Sequence, residues 1–468
     1  MGRFERGTVR DKFGHRHKTL TADGDVRALS LKLKLGLKDP SDRHLRAAVD
    51  DIHPADLADA MRYLSDVEDL ALFQRLTHIE AAEVLDEVDE TTLKKLVRST
   101  APDTLAAILQ HLPADEAADI ISVLPPDQWE VVLSRLREPE PLRTLLAYEP
   151  ETAGGLMARG YVDVPLHATQ EEAIEQFRAA SDLEHIFYIY SFGLDGQLAG
   201  AVDLHTLLRA EPTALIADLI DKEVVRVPPG MDQEQVASIF NRYDLSALPV
   251  VDPANRMLGV ITADHIIDVV IQEAGEDVGH MSGTDAHELE MKSPTQIAMM
   301  RMPWILTTML IELIAGFVVK TFDHTLAQIL LLASFMPIIS AISGNTGLQS
   351  AAIIIRGLST GHVQISDWKH AVKRQMATTV LIAAVCAICL GIIGAVWYGK
   401  WTFGALVFVG MFASINIAGA VGTTIPLLSK KLGFDPALTA GPFETAFQDV
   451  IGISIFLGMA TLLMPYLK

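Results

Sequence analysis

The last third of the chain carries five apolar segments, near residues 303–320, 326–356, 374–398, 402–428 and 437–466, with only short polar breaks between them. Each is long enough to cross a hydrocarbon layer of ~30 Å. Within lipid a segment must satisfy its own backbone N–H and C=O groups, so all five are expected as transmembrane helices. Isolated core helices do not follow one another in this way. The second segment contains Ser343-Gly344-Asn345-Thr346-Gly347. An interruption of the helix is expected there, of the kind tolerated where backbone lines a cavity.

Charge divides the chain in the same place. Residues 301–468 hold ten Lys/Arg and six Asp/Glu, a net +4, while the whole chain carries −21, so residues 1–300 carry −25. Such an acidic half disfavours nucleic acid and suits cations. With that half in the cytoplasm, the inner ends of the spans carry Arg301, Arg356, Lys369, Lys373, Arg374, Lys430 and Lys431, against Lys320, Lys400 and Lys468 outside. This distribution obeys the positive-inside rule, and an odd span count puts the C-terminus outside. The basic first 20 residues lack the apolar core of a secretion signal, so the N-terminus is expected in the cytoplasm.

The acidic half divides further. Residues 1–42 read as a basic, disordered extension. Residues 43–150 repeat loosely at about a dozen residues, as in HPADLADAM (53–61), HIEAAEVLDEV (78–88), PADEAADIISVL (113–124) and PPDQWEVVLSRL (125–136). Pro or Asp opens many units and apolar residues recur at three- and four-residue spacing, which predicts short helices stacked as a superhelix. After Gly154-Gly155 the pattern becomes β-α-β-β-α and returns about 62 residues later, placing a tandem α/β repeat at 151–214 and 215–268. The second copy is expected to open with a strand at VVRVP (224–228). The stretch LPVVD…GVITADHIIDVV resembles a CBS domain, and a CBS pair implies a regulatory sensor without catalysis. Residues 269–300 are expected as a connecting helix leading into the transmembrane domain at 301–468. The fold class is therefore multidomain: helical superhelix, tandem CBS pair, connecting helix and five-span helical membrane domain.

Three charged residues lie inside the spans: Glu312, Glu444 and Asp449. Asp449 lies twelve residues into the fifth span, ~18 Å along a helix and near mid-membrane. An isolated charge there costs at least ~2.5–3.5 kcal/mol, so it must meet a partner, water or an ion. No basic residue lies at matching depth, which points to a cation site. Gly441, Thr445, Asp449 and Gly452 share a helical stripe of small and polar residues ending at the carboxylate. Asn345, Thr346 and Gln349 offer further oxygens in the second span. Magnesium dehydrates reluctantly and prefers one or two carboxylates plus water to a protein cage, which suits a wet passage with a single acid per chain. Cys386 and Cys389 form a CxxC within an apolar span, with no second pair or histidine, and read as small packing residues.

PIISAISGNTGLQSAAIIIRGL (337–358) and DPALTAGPFETAFQDVIG (435–452) resemble the signature spans of the MgtE magnesium channel/transporter family, and ETAGGLM (151–157) and the domain order agree over residues 43–468. The resemblance implies a homodimer in a bacterial-type inner membrane. It also implies a pore lined by the second and fifth spans, Asp449 of both chains binding hydrated Mg2+, and Asn345 beside the pathway. It further implies a cytoplasmic Mg2+ sensor that holds the connecting helices over the pore. The positions matching sensor ligands are Glu83, Asp115 and Asp119, then Asp232, Glu234, Asn241, Asp244 and Asp268, and Glu273, Glu276 and Asp277 on the connecting helix. A half at −25, doubled in a dimer, repels itself unless counter-ions bridge its carboxylates.

The chain departs from the family pattern in places. His265 stands where a second Asp usually follows Asp264. Asp203-Leu204-His205-Thr206 replaces the Arg-Asp pair through which relatives bind ATP, which puts ATP binding in doubt. Glu444 and Gln448 replace uncharged small or apolar residues, and Glu444 would add an acidic cytoplasmic vestibule or alter ion preference. The expected function is gated, passive Mg2+ uptake along a path that includes Asn345, Gly441, Glu444 and Thr445. Conduction of Co2+, Ni2+ or Mn2+ and a non-conducting CBS sensor are the competing readings. A P-loop is missing from the sequence and no nucleophile–base set suggests an enzyme.

Overall fold

The computed structural model describes residues 8–10, 16–18, 23–39, 42–50, 52–180, 183, 186–284 and 293–467, apart from side chains at 8–10, 16–18, 23–24, 439–440 and 442–447. The chain falls into two compact units, Met1–Val270 and Ile271–Lys468.

In the first unit a two-stranded antiparallel pair, β1 (Thr8–Arg10) and β2 (Arg16–Lys18), precedes ten helices. These are α1 (Asp23–Leu37), α2 (Arg43–Val49), α3 (Pro54–Met61), α4 (Asp66–Phe73), α5 (His78–Glu87), α6 (Glu90–Ser99), α7 (Pro102–Leu109), α8 (Ala114–Ser122), α9 (Pro126–Leu133) and α10 (Glu140–Leu145). The sequence punctuation explains their starts. Pro opens α3, α7 and α9, while Ser65 and Thr77 cap α4 and α5, each in a reciprocal capping box with the Glu three residues on. Such a cap stabilises a helix by about 1 kcal/mol. One stripe per helix enters a shared core that includes Leu57, Met61, Leu72, Leu85, Leu105 and Ile121. The expected disordered extension is corrected for residues 23–37: they form α1, because Leu29 and Leu33, one turn apart, are buried in that same core.

The α/β part follows. After α11 (Ala153–Leu156), the first copy comprises β3 (Val162–Asp163), α12 (Gln170–Ala179), β4 (Tyr188–Phe192), β5 (Leu198–Asp203) and α13 (Leu204–Arg209). β3 runs parallel to β4, and β4 is antiparallel to β5, with Tyr188 opposite Asp203. Gly196 turns this hairpin at φ +78°, in the region that favours glycine. The second copy has α14 (Ile216–Leu219), α15 (Gln233–Tyr243), β6 (Ala247–Val251) and β7 (Met257–Thr262), with β6 and β7 antiparallel. The strand expected at 224–228 is corrected to a single parallel bridge, Val227 to Val250. Val227 donates to the Pro249 carbonyl and accepts from Val251, but Pro249 has no N–H for the next rung. α16 (Ala263–Ser282) grows directly out of β7, so the connecting helix begins inside the second copy and not at residue 269.

The second unit contains α17 (Pro294–Thr321), α18 (Asp323–Gln328), α19 (Leu332–Ser359), α20 (Trp368–Tyr398), α21 (Trp401–Leu432), α22 (Pro436–Ala440), α23 (Pro442–Leu462) and α24 (Met464–Leu467). Among the described residues four helical stretches are long and apolar enough to cross a membrane: α17, α19, Ile365–Tyr398 and α21. The 21 residues of α23 reach about 32 Å at the α-helical rise. Two expectations are corrected. α19 passes unbroken through Ser343–Gly347, because its glycines serve close helix contact: a Cβ on Gly422 of α21 would lie 2.3 Å from the Gly347 carbonyl oxygen. The interruption instead falls in the fifth span, at Gly441 between α22 and α23, where Pro442 opens the longer helix. Phe335, Phe403, Met411, Ile415 and Phe456 fill the core between α19, α21 and α23. Cys386 is half-buried against this core, whereas Cys389 is exposed in the single chain.

Candidate functional site

Asp449 lies about two turns past the start of α23 and is half-buried. The Ser340 hydroxyl of α19 donates to its Oδ1, and the Glu312 carboxyl of α17 lies within hydrogen-bonding reach. No Lys, Arg or His ion-pairs with Asp449 among the described residues. The carboxylate therefore points into the bundle toward other oxygens. The expectation of a single acid is corrected: two carboxyl groups meet here. A signal for this was present in the sequence. Spans one and five cross in the same direction, and Glu312 lies nine residues past Pro303, ~14 Å along its helix, close to the depth of Asp449.

The remaining pathway residues are dispersed. Asn345 and Gln349, one turn apart on α19, are both exposed in the single chain, while Thr346 is buried and donates to the Ile342 carbonyl. Gly441 does not share the Asp449 stripe, because it precedes the helix; its Cα faces the end of α16, where a Cβ would lie 2.7 Å from the Met281 carbonyl oxygen. The side chains of Glu444 and Thr445 lie outside the described residues. Gln448 is buried and its Nε2 donates to the Ala418 carbonyl at 3.4 Å.

Within the same unit the last turns of α16 rest on the membrane helices. Ser359 at the end of α19 donates to Asp277 at 3.1 Å. His280 Nδ1 lies 2.8 Å from Asp435 just before α22, and its Nε2 lies 3.6 Å from Glu276. Met281 packs on Ala351, Ile355 and Ala437. Glu273 is half-buried on the same helix. Sequence reasoning missed His280 and Asp435 as a pair, since 155 residues separate them.

The first unit gathers a second acidic group. Asp115 and Asp119, one turn apart on α8, lie near Asp86 of α5 and near Asp264, His265 and Asp268 of α16. His265 Nε2 lies 3.7 Å from Asp115 and 4.0 Å from Asp264. Part of the Asp119 side chain reaches solvent, yet the surrounding protein desolvates its carboxyl; this and the neighbouring Asp115 charge push it up to about 7, against the pull of His265. Asp268 is raised too, by desolvation and by Asp264 and Asp86, again opposed by His265. Glu83 is buried on α5. The other candidates are not brought together. Asp232 caps the start of α15 by accepting from Glu234 N–H at 3.0 Å, whereas Asn241 and Asp244 lie at its far end, about 18 Å away by helical rise. Among the described residues, no three His, Cys, Asp or Glu side chains are arranged to hold a metal ion. In the first copy, the Asp203 carboxylate caps α13 by accepting from Thr206 N–H at 2.9 Å.

Comparison with known proteins now bears on these sites. The MgtE family model, described as a divalent cation transporter, matches residues 336–459; the MgtE intracellular N domain matches 52–151, and the CBS domain 216–272. The magnesium transporter MgtE of Bacillus subtilis is 30% identical over 436 residues, covering 92% of this chain and 97% of that protein. This chain belongs to the MgtE family. The MgtE magnesium transporter of Thermus thermophilus is 31% identical over 446 residues, covering 93% of this chain and 98% of that one. A crystal structure of the cytosolic domain of the Mg2+ channel MgtE in complex with ATP is 32% identical, covers 51% of this chain and 99% of its own, and superposes with a TM-score of 0.48. The MgtE family model covers both Asn345 and Asp449.

Proposed function

We propose that this MgtE family member is a magnesium transporter of the inner membrane, conducting Mg2+ past Asp449 and closing when Mg2+ binds its cytoplasmic acids. The observation that carries the reading is the Asp449 carboxylate, held by Ser340 about two turns into α23 and facing oxygen ligands with no basic partner among the described residues. A charge in that place is stable only with a cation or proton to neutralise it. Asn345 and Gln349 support a homodimer. Exposed amides at membrane depth are costly against lipid, and a second copy across a wet pore would spare both chains that cost. The orientation follows the charge bias, with the acidic half cytoplasmic and the C-terminus outside.

Gating is supported by two features. Desolvation raises both Asp119 on α8 and Asp268 on α16, and nearby carboxylates add to it, Asp115 and Asp86 for Asp119 and Asp264 and Asp86 for Asp268. The hard oxygens of Asp115, Asp119 and Asp268 would engage a hydrated Mg2+ through its water shell, since among the described residues no three acids form a direct cage. The end of α16 meanwhile contacts α19 and α22, so a change at α16 reaches the membrane helices directly. On this reading Asp232, Glu234, Asn241, Asp244, Glu273, Glu276 and Asp277 add ligands in pairs and not as one cage.

The deciding test is Mg2+ uptake into proteoliposomes by the natural chain and by Asp449→Asn. Loss of uptake in the variant is expected, by about 10²-fold or more, in line with about 2.7 kcal/mol for a charge–ion contact. Undiminished flux would remove the proposed role. Running Co2+, Ni2+ and Mn2+ in the same assay separates a magnesium route from a general divalent one.

A further inference from the structure

Glu312 belongs to the first span, where Leu310, Leu313, Ile314 and Phe317 are exposed in the single chain. Glu312 lies on the other face, in line with half-buried Thr308 and buried Ala315 at helical spacing. There its carboxyl meets Asp449 of α23, to which the Ser340 hydroxyl of α19 also donates. Two carboxyl groups this close in a low-dielectric layer repel unless a positive charge is shared between them.

A second observation lies one turn along α23. Gly452 lies three residues after Asp449, and a Cβ there would lie 3.3 Å from Ser414 Oγ of α21 and 3.9 Å from Ser343 Oγ of α19. Ser414 is only 3% exposed and its Oγ has no hydrogen-bond partner, whereas the Ser343 hydroxyl is committed to the Ile339 carbonyl at 2.7 Å. A buried hydroxyl aimed at the glycine beside two carboxyl groups is an unused oxygen ligand. Buried polar groups are ordinarily satisfied, so an unused one beside an anion pair marks where a ligand or its water fits.

We infer that Glu312 is a second acidic ligand for the passing divalent cation, so that each chain presents Glu312 and Asp449 together with the Ser340 hydroxyl, and Ser414 serves the ion's water. The inference rests on the reading of Asp449 as the transport site. Its consequence is tighter engagement of a doubly charged ion than one carboxylate provides, since each added anion attracts a divalent ion twice as strongly as a monovalent one.

The test compares initial Mg2+ uptake by full-length protein in proteoliposomes for the natural chain, Glu312→Gln, Glu312→Asp and Asp449→Asn, normalised to protein that elutes as a single folded species. Glu312→Gln is expected to raise the half-saturating Mg2+ concentration about tenfold while maximal uptake stays within about twofold, and Glu312→Asp to recover most of the shift. An unchanged half-saturation in Glu312→Gln would overturn the inference, as would a Glu312→Asp variant as impaired as Glu312→Gln. Should the Gln variant not fold, the Asp variant decides: its half-saturation must move by less than about threefold with uptake retained, and complete loss of uptake overturns the ligand role. If Asp449→Asn abolishes uptake while Glu312→Gln leaves it untouched, only this inference falls; if Asp449→Asn transports normally, the underlying reading falls with it.

Discussion

At the scale of single residues, environment decides what an aspartate is. Asp203 and Asp232 spend their oxygens on helix N-termini, and Asp203 is pulled below the usual carboxylate range: burial raises it, but the Thr206 hydroxyl and N–H outweigh that. Asp119 has the opposite fate, pushed up to about 7 by desolvation and by Asp115. Its folded form therefore holds a proton between about pH 4 and pH 7 that the unfolded chain has already released. Stability falls as pH rises through that window, and the full cost remains above it. Asp119→Asn should remove this slope. In divalent-free thermal melts of the full chain, the variant is expected to melt about 2–4 °C above the natural protein at pH 8, with the difference vanishing near pH 4. A constant difference at all pH values would show that the carboxylate is not under this strain.

At the scale of elements, glycine and serine set how closely the membrane helices approach. Gly422 lies against the Gly347 carbonyl and Gly419 against Thr379, whose Cγ2 would lie 2.2 Å from an added Cβ. The first neighbour is backbone and cannot swing away, so Gly422→Ala must spread α19 from α21. A destabilisation of about 1–3 kcal/mol is expected, read as a lower melting temperature in detergent. A melting curve identical to that of the natural chain would mean that the helices separate freely. The docked end of α16 is held by Ser359–Asp277 and His280–Asp435. Ser359→Ala is expected to weaken closure by raising the internal Mg2+ needed to stop uptake about two- to threefold, the effect of about 0.5 kcal/mol from one exposed-side hydrogen bond. No change in that concentration would leave the contact without a part in gating.

For the whole molecule, charge and hydropathy assign the two halves different solvents and different tasks. The acidic half is stabilised by anything that binds its folded carboxylates, so millimolar Mg2+ should raise the melting temperature more than Na+ at equal ionic strength. Neutralising Asp268, Glu273 and Asp277 together should erase most of that difference and raise the closing Mg2+ concentration about tenfold, as fits the loss of three anions at about 0.5 kcal/mol each. If Na+ and Mg2+ stabilise equally, the carboxylates act only through general screening.

Much of this was legible without coordinates. The positions of the spans, the tandem α/β repeat and the importance of Asp449 follow from hydropathy, periodicity and the cost of burying a charge, all of which are local properties of the chain. Partnerships between distant segments were not legible. That Glu312 meets Asp449, that Gly347 serves contact and not a break, that Gly441 abuts α16, and that Leu29 and Leu33 join the helical core depend on which surfaces pack together. The physical reason is that hydropathy sums along a segment, whereas a hydrogen bond or a glycine's close approach exists only once two backbones have been placed, and no single segment contains both.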